Sequence, residues 1–325
     1  MILAGDIGGT NTRLALFEIR RGRLTMGPRH DARNAGHRGF VEIVRPFLEA
    51  HSHPVEIACF GVAGPVKDGR VELTNLKWTL DEKKLAKSLG IGHVVLINDL
   101  VAHAEGTNVL GPKELVTLHK GTPVRGGNRA IVAPGTGLGE GGLVYDHPSD
   151  DYRAFPSEGG HSDFAPTHDR EVALMRFVRA KLDRCDCEDV LSGRGLRNIF
   201  DFLASPGEFH VEPKLVSRDP EPKDITAAAN DGSCPACVAS VEMFAELCGA
   251  EAGNMALKIL ATGGVYIGGG IPPRVLKFFK RKQVISAFTN KGPASIRKLL
   301  KGMPVHLIRS PDNALYGAAH CARRV

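Results

Sequence analysis

Ala4-Gly5-Asp6-Ile7-Gly8-Gly9-Thr10-Asn11-Thr12 is the stretch on which the fold turns. Residues 2–5 read as a strand, and 13–19 as its hairpin partner. Between them the chain turns on two glycines just after an acid. Without a Cβ, glycines here let backbone N–H groups approach phosphate oxygens. Thr10 and Asn11 add side-chain donors. Asp6 stands where it would hold a Mg²⁺ ion through water, because Mg²⁺ keeps several of its waters. A plain hairpin turn explains the glycines, but neither the acid before them nor the polar triplet after them.

The plan recurs. Residues 129–133 read as a strand, followed by Pro134-Gly135-Thr136-Gly137-Leu138-Gly139-Glu140-Gly141-Gly142 and a strand continuing through 143–145. Two units of strand, Gly-Thr turn and strand, about one domain apart, point to a duplicated architecture. Residues 263–267 form a third strand running into Gly268-Gly269-Gly270. No GxxxxGK[ST] pattern occurs. Residues 137–142 match GxGxxG as a string, but a dinucleotide site needs that string at a strand-to-helix turn, and here it lies between strands.

Elsewhere strands and helices alternate, which sets the class as α/β. A third strand is expected over 24–29 and a buried one over 55–62. Lys67-Asp68-Gly69-Arg70 reads as a hairpin turn with an Asp-Gly centre. Residues 41–50 have helical spacing, with Pro46 expected to start or kink the helix. Thr79-Leu80-Asp81-Glu82 fits a capping box for a helix running to Leu89. Residues 93–97 are a short apolar strand ending at Asn98-Asp99. Helices are expected over 169–182, 193–203, 237–260 and 313–323, and a late strand over 304–308.

A chain of 325 residues is too long for one ordinary core and suggests two domains. Its 42% hydrophobic and 24% charged residues suit a soluble globular protein. The net charge of +6 comes from scattered residues, with local runs at 277–282 and at Arg323-Arg324. Such runs read as solvated helix faces, so no nucleic acid is expected as partner, while a positive field favours polyanions such as ATP. No apolar run reaches membrane-spanning length, and the first residues carry neither a basic n-region nor an h-region, so no membrane partner and a cytoplasmic location are expected. Seven cysteines, an odd number, argue for reduced thiols. Cys185-Asp186-Cys187 and Cys234-Pro235-Ala236-Cys237 lie far apart with no His at finger spacing, and read as ordinary thiols rather than a zinc site.

Three polar positions suggest chemistry on a hydroxyl. Asp99 directly follows an apolar strand, where a carboxylate can accept a hydroxyl proton. It can equally be the N-cap of a helix starting at Leu100. In Ser157-Glu158-Gly159-Gly160-His161, Glu158 and His161 flank a Gly-Gly pair. They can converge on neighbouring sugar hydroxyls, belong to a polar surface loop, or take part in a metal site. Glu188, just before Asp189-Val190-Leu191-Ser192-Gly193, is either a third such group or a solvated acid beside a helix start.

Together, DIGGTNTRLAL, APGTGLGEGGL and GGVYIGGGIPPR resemble the two phosphate loops and the adenosine loop of the actin-like sugar kinases. Asn75-Leu76-Lys77-Trp78, Ile97-Asn98-Asp99, Glu158-Gly159-Gly160-His161 and Glu188 with Val190-Leu191-Ser192-Gly193 occur in the order seen in bacterial glucokinases, and the resemblance covers nearly the whole chain. It implies a duplicated actin-like ATPase (ribonuclease H-like) fold: a small α/β domain over 1–110 completed by about 309–325, and a large one over 111–308, with ATP in the cleft between them. Gly5, Asp6, Ile7, Gly8, Gly9, Thr10, Asn11, Gly135, Thr136, Gly137, Gly268, Gly269 and Gly270 would hold the nucleotide. Asn98, Asp99, Glu158, His161 and Glu188 would hold D-glucose, with Asp99 as base. The implied activity is phosphoryl transfer from ATP to the 6-hydroxyl, the entry step of glycolysis, by a homodimer.

His161 is followed by Ser162-Asp163-Phe164-Ala165-Pro166 with no cysteine, where the related ROK kinases carry a zinc motif, so the resemblance is to the zinc-free branch. Arg194 stands where that pattern has Pro. The rival readings are a kinase for another hexose or another phosphoryl donor, a sugar-responsive repressor, and a non-catalytic actin-like ATPase. A repressor would need a DNA-binding helix pair in front, and Asp6 is expected to leave no room for one. A non-catalytic ATPase would not need the polar set at 98–99, 158 and 161.

Overall fold

The computed structural model describes residues 1–51, 53–73, 75–213 and 219–325. β1 (Ile2–Ile7) sends Ile2 and Ala4 into one apolar cluster and Leu3 and Ile7 into another, the period-two alternation of a strand buried on both faces. It pairs antiparallel with β2 (Asn11–Arg20), which pairs antiparallel with β3 (Arg23–Arg33). On its other edge β1 runs parallel to β4 (Ile57–Val62). A separate ribbon, β5 (Arg70–Leu73) with β6 (Trp78–Asp81), precedes β7 (His93–Asn98), which runs parallel to β4. The five-stranded order is β3-β2-β1-β4-β7. Helix Val41–Glu49 covers the Leu3 face through Ile43, Val44 and Phe47, and helix Asn313–Ala322 covers the Ile2 face through Leu315, Ala318 and Ala319.

The second sheet contains β8 (Leu115–His119), β9 (Arg129–Pro134), β10 (Leu138–Asp146), β11 (Asp151–Ser157), β12 (Gly264–Ile267) and β13 (Val305–Ile308), in the order β11-β10-β9-β12-β13-β8. β10 is antiparallel to β9, and β9, β12 and β13 are mutually parallel. That repeats the plan of β2-β1-β4-β7: a hairpin followed by two parallel additions. The repeated strand, Gly-Thr turn and strand in the sequence is the local trace of this duplication. The long helix Pro235–Lys258 is apolar nearly all round, as its central place in the second core requires. The chain divides into two compact units, Met1–Glu114 with Tyr145–Pro156 and Ser310–Val325, and Leu115–Val144 with Ser157–Arg309. Among the described residues no helix is long and apolar enough to cross a membrane.

Several local expectations are refined. In the Lys67–Arg70 turn, Asp68 and Gly69 both take positive φ (50° and 68°), the two-residue hairpin geometry that Asp-Gly favours. Pro46 neither starts the helix nor marks its end, but sits inside Val41–Glu49. The cap of helix Glu82–Leu89 is Asp81, whose side chain accepts from the Lys84 N–H at 2.9 Å. Thr79 is not the cap because it pairs with Glu72 in the β5–β6 ribbon, and Glu82 reaches instead to the Leu96 N–H at 2.8 Å. The GxGxxG string falls in β10, not at a helix start. Helices Pro222–Asp231, Lys282–Thr289 and Ala294–Gly302 are additions that the sequence pattern did not predict.

Helix Asp99–Gly106 leaves directly from the end of β7 and packs against helix Asn313–Ala322. The two meet where Gly106 and Gly317 face each other. A Cβ on Gly317 would collide with the Ala102 carbonyl oxygen, and one on Gly106 with Asn313. Gly317→Ala is therefore expected to destabilise the protein by about 1–3 kcal/mol, because backbone on the opposing helix cannot give way. Urea denaturation measures this, and an unchanged midpoint would show that the helices separate freely.

Candidate active site

The first glycine turn is built on β1 and β2. The Gly8 N–H donates to the Asn11 carbonyl at 3.0 Å, which leaves Gly9, Thr10 and Asn11 exposed at the tip. Gly5 lies below, against Phe60, where a Cβ would crowd the ring at 2.6 Å. Asn34, which the sequence did not single out, supports the turn from behind. It is buried, its Nδ2 donates to the Gly8 carbonyl at 2.8 Å, its backbone N–H donates to the Thr10 carbonyl at 2.9 Å, and Thr12 Oγ1 donates to its Oδ1 at 2.7 Å. Asn75 is a neighbour of Gly9.

Asp6 is the next-to-last residue of β1, with Arg13 NH1 3.7 Å from its Oδ2. Its register partner in β2 is Arg13 itself. A partly exposed carboxylate next to the glycine turn is a residue that could hold a Mg²⁺ ion through water.

At the end of β7, Asn98 and Asp99 divide two tasks. Asn98 is the helix cap: its Oδ1 accepts from the Leu100 N–H at 2.9 Å, and its Nδ2 donates to the Gly64 carbonyl at 3.2 Å. Asp99 is the first helical residue, not the cap, although its Oδ1 also accepts from the Leu100 N–H at 2.8 Å. Burial, more than any neighbour, raises the Asp99 carboxyl above its ordinary value. His103 on the same helix pulls it down and Asp6 pushes it up. A carboxylate made more basic in this way is suited to accept a proton.

The second unit gathers the other candidates. The Gly135 N–H donates to the Gly137 carbonyl at 2.8 Å, and Thr136 is exposed at the tip. Gly269, at φ 80°, lies against the Pro134 carbonyl, too close for a Cβ, so the Gly268–Gly270 segment packs on the strand end that launches the second turn. The Gly268 N–H donates to the Val132 carbonyl at 2.8 Å. Loop 158–162 and segment 185–188 are tied together, the Glu188 N–H to the Gly160 carbonyl at 2.8 Å and the Cys187 N–H to the Ser162 carbonyl at 2.9 Å. Glu158 and His161 are exposed beside Glu188. Glu188 Oε2 accepts from the Leu138 N–H at 2.9 Å, which joins the polar trio to the second glycine turn.

Three contributors to this half were missed. Asp186 accepts from His161 Nδ1 at 3.1 Å. Arg194 donates to Asp189 Oδ1 at 2.8 Å and Glu188 Oε1 at 3.4 Å, so the departure from Pro carries an ion-pair network. Glu140 lies buried beneath Gly159, where a Cβ would collide with its carboxylate. All seven cysteines are free thiols; Cys234 caps its helix, its Sγ accepting from the Cys237 N–H at 3.1 Å. Among the described residues, no three His, Cys, Asp or Glu side chains gather into a metal site.

The family model for glucokinase matches residues 3–325. The glucokinase of Trichormus variabilis is 37% identical over 352 aligned positions, covering 100% of this chain and 99% of that one. The glucokinase of Salmonella paratyphi B is 35% identical over 319 positions, covering 97% and 95%. The crystal structure of a glucokinase from an Antarctic psychrotroph superimposes with a TM-score of 0.87 at 29% identity, covering 100% and 99%. At this identity, along essentially its entire length, the chain belongs to the glucokinase family.

Proposed function

We propose that this protein transfers the γ-phosphoryl group of ATP to the 6-hydroxyl of D-glucose, giving glucose 6-phosphate and ADP. The observation that carries the proposal is Asp99: a carboxyl just past a strand end, raised by burial, beside Asn98, which caps the helix. Membership of the glucokinase family supports the substrate pair. The repeated sheet plan supports a duplicated actin-like ATPase fold. Seven free thiols support a reducing, cytoplasmic setting, where this reaction opens glycolysis.

In this reading Asn98, Asp99, Glu158, His161 and Glu188 hold the hydroxyls of glucose. Asp99 takes the 6-hydroxyl proton as that oxygen attacks the γ-phosphorus and the bond to the ADP oxygen breaks. The N–H groups at the turn tips, those of Gly9 and Thr10 and of Thr136 and Gly137, would face phosphate oxygens, and Gly268 to Gly270 would allow close approach of the adenosine. Phosphoryl transfer depends mainly on such positioning and charge stabilisation. Asp6 would hold Mg²⁺ through water, and when bound the ion neutralises phosphate charge.

The test is ADP release in a coupled assay with ATP, Mg²⁺ and a panel of hexoses and donors. Glucose with ATP is expected to give the highest kcat/KM, and millimolar glucose is expected to raise the melting temperature by binding the folded state. A higher kcat/KM with another hexose or donor would reassign the substrate. No turnover and no thermal shift would favour a non-catalytic ATPase.

A further inference from the structure

His161 is held from one side only. Its side chain is 58% exposed, and its Nδ1 lies 3.1 Å from Asp186 Oδ2. Nε2 lies on the far side of the ring. A carboxylate is acceptor-only, so Nδ1 must be the donor in this pair, and the neutral ring is then the tautomer whose Nε2 carries a lone pair.

Asp186 is itself fixed. Its Oδ1 accepts from the Asp189 N–H at 2.9 Å, while its own N–H donates to Asp189 Oδ2 at 3.2 Å. Both acids are buried. Asp189 Oδ1 accepts from Arg194 at 2.8 Å, and Arg194 donates to Glu188 Oε1 at 3.4 Å. Asn198 Nδ2 donates to the Asp189 carbonyl at 2.9 Å. One run of hydrogen bonds therefore connects the ring of His161 to the carboxylate of Glu188. These are two of the side chains assigned above to glucose, and Glu188 also receives the Leu138 N–H of the second turn.

We propose that Asp186 is a positioning residue for glucose: it fixes the His161 ring and tautomer so that Nε2 accepts a hydrogen bond from a sugar hydroxyl. The proposal rests on the reading of His161 as a glucose ligand. It does not make Asp186 a catalytic residue, because Asp186 acts only through the imidazole. The surrounding field raises the pKa of the ring, so Nε2 is an acceptor only once the pH lies above that raised value. The hydrogen bond that His161 Nδ1 donates to Asp186 is the largest influence raising the basicity of His161. Desolvation lowers it, and the charges of Glu188, Asp186 and Glu158 raise it. In the neutral ring a more basic Nε2 is the stronger acceptor, whereas in the protonated ring Nε2 can only donate, so the glucose KM is compared at a pH where the ring is neutral.

Asp186→Asn tests this with almost no change in shape. The Asp189 N–H can only donate, so the new amide oxygen must face it and the amide NH₂ must face His161 Nδ1. Nδ1 then becomes the acceptor and the ring proton moves to Nε2. The expected result is a glucose KM raised about three- to tenfold, the loss of one neutral hydrogen bond, with kcat within about threefold of the parent. Nitrogen NMR of the ring is expected to show the proton on Nδ1 in the parent and on Nε2 in the variant. In a His161→Gln background, Asp186→Asn is expected to change KM by less than about twofold, because the residue through which it acts is gone. Equal KM effects in both backgrounds, or a parent ring protonated on Nε2 alone, would overturn the proposal. If His161→Gln raises the glucose KM but Asp186→Asn does not, the proposal fails while the sugar-site reading stands. If His161→Gln leaves the glucose KM unchanged, the sugar-site reading fails at His161 and takes the proposal with it.

Discussion

Asp99→Ala is expected to lower kcat by ~10²–10⁴-fold, the range that a positioned general base contributes. The local structure makes the experiment readable. Asn98, not Asp99, caps helix Asp99–Gly106, and the Gly106–Gly317 contact holds that helix against Asn313–Ala322. The variant should therefore fold, losing only a second acceptor for the Leu100 N–H. Because burial raises the carboxyl, the acidic limb of the kcat/KM profile of the parent should lie above the ordinary carboxylate value of about 3.9. In Asp99→Asn that limb should vanish with most of the activity. Turnover near that of the parent in both variants would remove Asp99 from the role of base. The glucose KM should change much less than kcat, since the other four side chains proposed to hold glucose remain.

The parts of this site that could be read from sequence are those whose physics is local. Each glycine turn is a run of a few residues with an acid or a threonine at a fixed place, and the structure builds each from a strand end and the residues just after it. Glu158 and His161 are close in sequence, and their loop is held by bonds within 157–162. The parts that could not be read depend on distant partners. Asn34 supports a turn that begins with Gly8, Asp186 orients His161, and Glu140 lies under Gly159. No spacing rule connects such pairs until the sheets bring them together. Arg194 was visible as an oddity, but its meaning needed the positions of Asp189 and Glu188.

The misread elements have equally specific causes. Thr79 matched a capping pattern, but strand pairing with Glu72 took precedence and moved the cap to Asp81. Helix Pro222–Asp231 does carry a reciprocal cap, written with two acids, Glu221 and Asp224, in place of the usual hydroxyl and acid. The helix also has Pro at its start, a signal compatible with a loop as well. Helices Lys282–Thr289 and Ala294–Gly302 are short, and their identity depends on packing against the long central helix more than on their own pattern.

The second large effect is expected at Glu140, through stability. Its side chain is wholly buried in β10, and among the described residues neither carboxyl oxygen has a hydrogen-bond partner. Burial is the main cause that pushes its pKa from 4.5 to about 8; Glu251 adds to the shift and Lys258 opposes it. The folded protein therefore holds a proton here that the unfolded chain has released over most of the interval between those two values. Folding takes up that proton, so stability is fullest below about pH 4.5, falls as pH rises toward 8, and levels off above it. The slope approaches 1.4 kcal/mol per pH unit, and the whole effect is on the order of 3–5 kcal/mol. Glu140→Gln keeps the shape of the neutral acid but cannot ionise. Urea denaturation of both proteins at several pH values from 5 to 9 should show the variant gaining on the parent as pH rises, with the difference flattening near pH 9. The comparison uses the change in that difference with pH, because a buried amide has its own constant penalty. A difference independent of pH would mean that Glu140 finds a counter-charge in solution and is ionised throughout. Gly159, whose missing Cβ leaves room for the carboxyl, lies between Glu158 and His161, so the same ionisation should disturb the loop that carries them. The glucose KM of the parent should then rise above pH 8, and that of Glu140→Gln should stay level.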